Sequence, residues 1–347
     1  MATSSRVSNN IHTPSNDTGE RGGWRNLFSW LGFREGYNVP LFIVFAATLF
    51  GFSLSQLSYL DLKTFSKSAA PGEWYWYQAG HCRVGLLLHL ATILPAGILV
   101  VFQFVPAIRR RTMLFHRVNG YIVILLILIS NGGALMIARR AFGGELAAQA
   151  AVGVLVISTT IGLGMAYYNI KKLQVDQHRA WMLRTMFYLG AIITTRIIMV
   201  VAALIASKTE SYNVIMTCGE LRSMHDLSYL AEMYPGCVVG SSILEDELKI
   251  IHADFFRGIK EQIAASLRIT FGMALWLAFF LHAVGIEAYL ALTPREAQRL
   301  RMVSYEKQLK AGMSVPGSAG LVVENFGDAD AWEPTARADI ASESGVV

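Results

Sequence analysis

Six long apolar runs, separated by polar segments, dominate the hydrophobic pattern of the chain. A helix needs about 20 mainly apolar residues to cross the hydrocarbon core of a bilayer. Because backbone groups in lipid must pair within the span itself, runs of this length predict α-helices. The pattern therefore predicts an all-α, polytopic membrane helix bundle with about six transmembrane helices. The predicted spans are Val39–Leu57, Val84–Phe104, Val118–Ala138, Ala147–Asn169, Trp181–Ile205 and Ile269–Leu292.

Composition supports this fold class. Of the 347 residues, 53% are hydrophobic and 16% are charged, whereas a soluble globular chain carries about 25% charged residues. The net charge is +5, but the basic residues lie in short loops beside the apolar runs. That placement is typical of membrane topology and argues against a nucleic-acid partner. Membrane lipid is the expected partner, and the sequence leaves the oligomeric state open.

The loops on one side of a six-span bundle are strongly basic. Residues 109–117 contain four arginines and no acid, while residues 206–263, on the opposite side, contain nine acids and five bases. Arg139 and Arg140 go against this trend. Because short cytosolic loops are enriched in Lys and Arg, both termini are expected in the cytosol. No cleavable signal peptide precedes the first apolar run, so we expect an anchored protein of the endoplasmic reticulum or plasma membrane.

The polar segments divide the chain further. Residues 206–263 are too long for a bare connection and predict a lumenal or extracellular cap. Asn16 begins a glycosylation sequon that matters only if the N-terminus is lumenal, and Trp24–Phe33 reads as a short interfacial segment. The predicted organisation is a partly disordered cytosolic tail (1–37), a five-span membrane core (38–205), the cap (206–263), the sixth transmembrane helix (264–292), and a cytosolic helix with a disordered tail (293–347).

Cysteine placement favours a disulfide in the cap. Cys218 and Cys237 both lie in it, and Cys82 lies at the same membrane face. That face is the oxidising one in the predicted topology, so a Cys218–Cys237 disulfide is expected. The alternative is two unpaired buried thiols.

Ionisable residues within a span are costly and mark functional sites by default. Arg196 lies near the middle of the fifth span, slightly toward the outer side, and His89 lies at similar depth on the second span. Polar side chains on two other spans, Asn131 and Thr159, complete a layer at that depth. One interpretation is a buried pocket with Arg196 as a fixed positive charge and His89 as proton donor or acceptor. The other is a structural polar network that sets helix register.

Two histidine–arginine pairs open the third and fifth spans. Phe115–Tyr121 reads FHRVNGY, and Gln177–Arg184 reads QHRAWMLR. His116 and His178 are candidate haem or metal ligands or acid–base groups, with His282 on the sixth span as a substitute ligand. Arg184 is a candidate group for binding an anion or a carbonyl. The alternative is that these side chains contact lipid headgroups.

These two motifs resemble the membrane family catalogued as domain of unknown function 2306, over roughly Gly80–Leu204. The sixth span and the cysteine-bearing cap are similar to fungal members. The resemblance implies a multi-pass fold and no particular reaction, and it hints at lipophilic substrates of secondary metabolism. The positions of this sequence that match the family pattern are His89, His116, Arg117, Gly120, His178, Arg179, Trp181, Arg184 and Arg196.

Three functions remain open on the sequence. The preferred one is a membrane-embedded enzyme of the isomerase or cyclase type that acts on a lipophilic small molecule through acid–base chemistry, with no cofactor assigned. The second is a b-type haem transmembrane oxidoreductase, which needs two axial ligands at one depth. The third is a transporter or a non-catalytic scaffold, although the repeated halves that transporters often show are not evident. No phosphate loop, nucleophile elbow or dinucleotide fingerprint stands in a credible context.

Overall fold

The structure, a computed structural model, describes residues 32–33 and 38–334. The expectations for the N-terminal tail, for the Asn16 sequon, for most of Trp24–Phe33 and for the last thirteen residues lie outside this part of the chain. Within it, the fold is almost entirely helical.

Six helices in the described residues are long and apolar enough to cross a membrane, so the predicted all-α polytopic bundle is confirmed. The first span continues α1 through a short 3₁₀ turn to Leu60. The structure extends the fifth and sixth spans well beyond the apolar runs, because polar turns continue each helix past the expected bilayer boundary. The spanning helices are α1 (Asn38–Gln56), α4 (Gly80–Gln103), α6 (Met113–Ile137), α7 (Leu146–Lys171), α8 (Val175–Thr209) and α11 (Lys260–Ala291).

Shorter elements connect the spans. We call residues 61–79, 138–145 and 210–259 the cap side, and residues 104–112, 172–174 and 292–334 the terminal side. The shorter helices are α2 (Leu62–Ser68), α3 (Glu73–Tyr77), α5 (Pro106–Arg111), α9 (Cys218–Met224), α10 (Leu227–Met233), α12 (Pro294–Lys310) and α13 (Val323–Phe326). The strands are β1 (Asn213–Thr217), β2 (Val238–Val239), β3 (Ser242–Ile243) and β4 (Leu248–His252).

Small residues let α4 and α6 pack closely. A Cβ atom added at Gly133 would lie 2.7 Å from the carbonyl oxygen of Gly85 and 2.7 Å from the backbone nitrogen of His89. Real side chains do not approach so closely, so only glycine fits at this crossing. Close backbone approach at small residues is the usual way in which membrane helices associate. It also holds the polar side chains of α4 and α6 at one depth.

The cap is a small folded unit on the outer ends of α8 and α11. Strands β1 and β4 pair antiparallel, with Asn213 opposite His252. The predicted Cys218–Cys237 disulfide is confirmed and lies in the fully buried cap core. Cys82 is a free, buried thiol. A fully buried carboxylate, Glu261 at the start of α11, accepts hydrogen bonds from three cap side chains: His225 (2.5 Å), Tyr229 (2.9 Å) and Tyr234 (3.1 Å).

The terminal side differs from the sequence-based expectation. Helix α12 ends at Lys310. Composition assigns residues 315–347 to a disordered tail, but the described residues 311–334 fold back onto the α7–α8 corner; we call residues 311–334 the C-terminal strap. The fully buried Gln174 donates to the Gly317 carbonyl (3.0 Å) and accepts from the Gly320 backbone N–H (3.1 Å). Buried amide side chains therefore help to hold this segment against the bundle.

Candidate active site

The most unusual side chain of the structure is a carboxyl group on the cap side. Glu73 opens α3, between the first and second spans, at the head of the aromatic run WYWY. Its side chain is only 5% exposed. Oε2 accepts a hydrogen bond of 3.0 Å from the backbone N–H of Phe142, while Oε1 is buried and has no hydrogen-bond partner. A buried carboxyl oxygen without a partner is a rare and costly arrangement.

The partner of Glu73 belongs to the turn between α6 and α7. Phe142 has a φ of 49°, which is unusual for a residue with a side chain, and Gly143 follows with a φ of 81°. This left-handed turn aims the Phe142 N–H at Glu73 and stacks the Phe142 ring on Phe271, with centroids 4.4 Å apart. Backbone strain of this kind clusters at functional sites, because packing elsewhere must hold it.

A buried ion pair lies beside this turn. Arg268 on α11 and Glu220 on α9 are each about 4% exposed, and Arg268 Nη2 lies 2.9 Å from Glu220 Oε1. Trp76 Nε1 donates to the same oxygen at 2.6 Å. A Cβ at Gly143 would lie 2.9 Å from Arg268 Cδ, so the turn needs glycine here to admit the arginine. Arg268 Nε, like Glu73 Oε1, is buried without a hydrogen-bond partner.

Glu220 is positioned by its own helix end. Its backbone N–H donates to the Thr217 hydroxyl (3.2 Å), and its Oε2 accepts from the Thr217 N–H (3.0 Å). This reciprocal capping box fixes the start of α9. The carboxylate that neutralises Arg268 is therefore held by backbone geometry, which leaves it little freedom to move.

Two further arginines complete the site. The Arg196 guanidinium lies 4.9 Å from the centroid of the Phe142 ring, and its charge acts on Glu73. Arg140 lies 3.7 Å from the centroid of the Trp76 ring. Cation–π contacts of this length stabilise a desolvated guanidinium. Arg140, which contradicts the charge rule for loops, therefore has a local role on the cap side.

The electrostatics prepare Glu73 for proton transfer. Burial raises the pKa of Glu73 to about 7, and the Phe142 hydrogen bond and the charges of Arg268 and Arg196 oppose that rise. A carboxyl group with a pKa near 7 is present in both protonation states at physiological pH. Such a group is suited to general acid–base catalysis, and the nearby guanidinium groups can stabilise a developing negative charge.

The predicted polar layer is divided between two contacts. His89 Nδ1 lies 3.2 Å from the Ser130 carbonyl and 2.9 Å from the Ser130 hydroxyl, which joins α4 to α6. Asn131 donates to Thr159 (3.1 Å) and Thr160 (3.0 Å), which joins α6 to α7. Both contacts fit helix registration. Arg196 instead interacts with the cap-side turn and Glu73, so the proposed His89–Arg196 pairing has no direct hydrogen bond in the described residues.

The histidines of the terminal side have different partners. His178 Nδ1 donates to the Ala166 carbonyl at 2.9 Å. His116 Nδ1 is buried with no partner. His282 uses both ring nitrogens, since Nδ1 donates to the Phe187 carbonyl (2.7 Å) and Nε2 accepts from the Thr194 hydroxyl (2.8 Å). Ligation of a haem by His282 would require breaking one of these hydrogen bonds, whereas the Nδ1 atom of His116 has no hydrogen bond to break.

Arg184 is already paired. Its Nε and Nη2 donate to Glu287 at 2.6 and 2.9 Å, and its guanidinium lies 5.0 Å from the Trp181 ring centroid. Glu287 also lines a shallow, otherwise apolar groove on α11. Within residues 32–33 and 38–334, no group of three or more His, Cys, Asp or Glu side chains is arranged to hold a metal ion.

Sequence reasoning missed Glu73, Glu220 and Arg268. Arg268 stands one residue before the predicted sixth span, and Glu220 is one of nine acids in the cap segment. The available signal is Glu73 itself, because it is a lone acid that precedes four consecutive aromatic residues. Aromatic residues of this kind collect at the membrane interface, where a carboxylate is expensive to bury.

Comparisons with known proteins agree with the sequence motifs. The model of a family described as "Predicted membrane protein (DUF2306)" matches residues 86–226 and confirms the resemblance drawn from the two histidine–arginine motifs. A relative from Aspergillus versicolor, named "Ava biosynthesis cluster protein G", is 25% identical over 323 residues, which covers 79% of this chain and 94% of the relative. No solved structure matches the chain. Arg196 and Glu220 lie inside the family segment, and Glu73 and Arg268 lie outside it.

Proposed function

We propose that this chain, which is similar to the DUF2306 family of predicted membrane proteins over residues 86–226, is a membrane-embedded acid–base enzyme that moves a proton within a lipophilic small molecule. The observation that carries the proposal is Glu73, a buried carboxyl group with a pKa of about 7 and a buried oxygen without a partner. The name of the Aspergillus versicolor relative places that protein in a biosynthesis cluster. This supports a small-molecule substrate for the present chain.

The chemistry follows from the charges around Glu73. The Glu73 carboxylate removes a proton from a carbon next to a carbonyl group, and the electron pair of the broken C–H bond moves onto the carbonyl oxygen. The positive charge of Arg268 or Arg196 stabilises this enolate. Protonated Glu73 then returns the proton to a different carbon of the conjugated system. The product is an isomer of the substrate, so no oxidant, reductant or leaving group is needed.

The location of the site suits a lipophilic substrate. Glu73 lies at the cap-side end of the bundle, and the aromatic side chains Trp74 and Trp76 are half-buried beside it. A molecule with an apolar body and one polar group is stable at this depth in a bilayer. Because the reactive oxygen is buried, the substrate reaches it only when the cap-side loops open. The glycines that flank the site, Gly72 (φ 80°) and Gly143 (φ 81°), are suited to that motion.

Deuterium labelling tests the reaction. Full-length protein in lipid nanodiscs is incubated in D2O with the lipid extract of cells that lack the gene. Mass spectrometry then identifies any compound that gains deuterium without another change in composition. We expect one labelled compound with the wild type and a loss of about 10²-fold or more in Glu73→Gln, which is typical when a general base is removed. Labelling should rise with pH through about 7, where Glu73 ionises.

The matched control is Glu232→Gln, which removes an exposed carboxylate of the cap. It should label at the wild-type rate. Equal labelling by folded Glu73→Gln would overturn the proposed role of Glu73. A wild-type protein that neither labels a compound nor converts one into an isomer would overturn the proton-transfer function.

A b-type haem is the second candidate, favoured by the buried, unpartnered His116 Nδ1. His116 on α6 and His178 on α8 would be the ligands from two different helices. A haem held between them would supply one-electron chemistry. Reduced-minus-oxidised absorption spectra of the purified protein, and of His116→Ala and His178→Ala, decide this. A b-type spectrum lost in both variants would establish the haem and displace acid–base catalysis as the leading function.

A further inference from the structure

The terminal side carries a group of cations that the proposed chemistry does not use. Arg109 on α5, Arg179 on α8 and Arg299 on α12 come from three distant parts of the chain. The charges of Arg179 and Arg299 both act on Arg109. The fold therefore brings these three side chains within electrostatic reach of one another. We call Arg109, Arg179 and Arg299 the arginine cluster.

The arginine cluster is under-neutralised by the described residues. Glu296 is the acid whose charge reaches all three arginines. Its carboxylate is engaged by Arg299, which donates to both oxygens at 2.7 Å. Arg179 donates to the neutral hydroxyl of Tyr289 at 3.2 Å. One negative charge is therefore shared among three guanidinium groups.

Arg109 is the least satisfied member. It is half-buried, and burial lowers its pKa because the charged form loses water. Among residues 32–33 and 38–334, no oxygen atom accepts a hydrogen bond from its guanidinium and no carboxylate forms an ion pair with it. A partly desolvated guanidinium without an acceptor is costly, so an anion from outside the described residues would stabilise it.

His116 adds a second unpartnered group at the same place. Its Nδ1 is buried without a hydrogen-bond partner, and the charges of Arg109 and Arg117 act on it. An imidazole nitrogen and a guanidinium that interact electrostatically and both lack partners can bind different oxygens of one anion. The position at the ends of α4 and α6 sets this anion at the depth of the lipid headgroups.

We propose that the arginine cluster and His116 bind the phosphate or diphosphate group of an amphiphilic molecule. Guanidinium forks match the oxygen atoms of phosphate, and a phosphate carries enough charge to neutralise two arginines. The tail of such a molecule would lie in the bilayer beside the helices. The site is independent of Glu73, because His178 and Arg196 on the same helix are about 27 Å apart at 1.5 Å per residue.

Two sources share this chemistry, and one experiment separates them. Full-length protein in phosphatidylcholine nanodiscs is titrated with inorganic diphosphate by calorimetry. In parallel, native mass spectrometry counts phosphatidic acid retained from nanodiscs that contain it, with phosphatidylserine nanodiscs as the comparison. The variants are Arg109→Gln and Arg179→Gln. Arg111→Gln is the matched control, because Arg111 is an exposed arginine of the same α5 helix.

Binding that Arg109→Gln or Arg179→Gln weakens about tenfold or more, and that Arg111→Gln preserves, would support the site. Diphosphate binding would indicate a soluble or isoprenoid-type phosphate, and selective retention of phosphatidic acid would indicate a membrane lipid. The use of two separate variants keeps the test valid if one of them fails to fold. Absence of binding by both probes, or equal loss in Arg111→Gln, would show only a diffuse positive surface and would overturn the proposal.

Discussion

At the scale of single residues, the cap side contains buried polar atoms without hydrogen-bond partners, which lower the stability of the folded state. Glu73 is held away from water with one oxygen unpaired, and Arg268 has a buried nitrogen without a partner. Each such group costs about 1–3 kcal/mol. Their retention beside a left-handed Phe142 supports the proposed reaction at Glu73, because a purely structural network is most stable when its members are satisfied.

The raised pKa of Glu73 makes stability depend on pH. The folded pKa is about 7, against 4.5 for the ordinary side chain, so the folded state binds this proton more tightly. The contribution is fully present below about pH 4.5 and is lost as the pH rises to about 7, by about 3 kcal/mol. Glu73→Gln cannot ionise, and its unfolding temperature should fall less than that of the wild type over this window. Tryptophan fluorescence during heating measures both, and parallel curves would mean that Glu73 titrates normally.

The buried Arg268–Glu220 ion pair should contribute more to stability than an exposed ion pair does. Glu220→Gln keeps the shape of the side chain but leaves the Arg268 charge unpaired at 4% exposure, which should destabilise the protein by about 3–5 kcal/mol. Glu247→Gln breaks the Lys249 pair, whose side chains are 49% and 22% exposed, and should cost less than about 1 kcal/mol. Denaturant unfolding in detergent gives both values. A small effect of Glu220→Gln would show that water reaches Arg268.

At the scale of helices and segments, the sequence predicts the transmembrane helices, because each follows from a pattern within its own residues. The six spans follow from runs of apolar residues, and Pro294 suits the first turn of α12. The Thr293 hydroxyl bonds the Tyr289 carbonyl and Glu296 pairs with Arg299, so neither side chain caps the start of this helix. Local patterns set where a helix begins, but tertiary neighbours choose the partners of its polar side chains.

The active site and the C-terminal strap are not encoded locally. Glu73, Glu220 and Arg268 come from three segments, with 146 residues between Glu73 and Glu220, and no periodicity relates them. Residues 315–347 hold six acids and one base, which is why composition suggests disorder. The order of the strap comes from the amide side chains of Gln174, in a loop, and Gln308, on α12, whose burial the sequence does not show.

The strap can be tested directly. Gln174→Leu keeps a similar volume but leaves the Gly320 N–H and the Gly317 carbonyl without their partner, at about 1–3 kcal/mol for each group. The strap should then detach and become sensitive to limited proteolysis, while the membrane bundle stays intact. Lys307→Ala, an exposed change on the adjacent α12, is the control. Unchanged cleavage in Gln174→Leu would show that apolar contacts hold the strap instead.

At the scale of the whole molecule, the start of the first span and the end of the sixth are in contact through Asn38 and Tyr289 (2.9 Å), at the end of the bundle opposite the disulfide-bearing cap. We propose that the cap faces the lumen or the cell exterior and that the terminal side faces the cytosol, in line with the arginine-rich loops. The oxidised Cys218–Cys237 pair agrees with an oxidising compartment.

Glycosylation mapping tests this orientation. The turns at Gly240 and Gly312 are closely matched, since both glycines have positive φ (62° and 68°) and a Cβ at either would meet open space. A glycosylation sequon inserted after Gly240 should be modified in microsomes, and the same insertion after Gly312 should not. A gel shift reports each outcome. Modification at Gly312 alone would invert the orientation, and it would make the Asn16 sequon lumenal.

Helix α8 has a mechanical consequence for the whole protein. Its 35 residues run without interruption from Val175 to Thr209, about 52 Å at 1.5 Å per residue. In its first turn, Asp176 accepts a hydrogen bond from the Ser304 hydroxyl of α12 (2.8 Å). In its last turn, the Ser207 hydroxyl accepts a hydrogen bond from the Phe255 backbone N–H of the cap (2.8 Å). One continuous helix therefore contacts both α12 and the cap. We expect a tilt of α8 that opens the cap to move α12 as well, which couples movements on the two faces of the membrane.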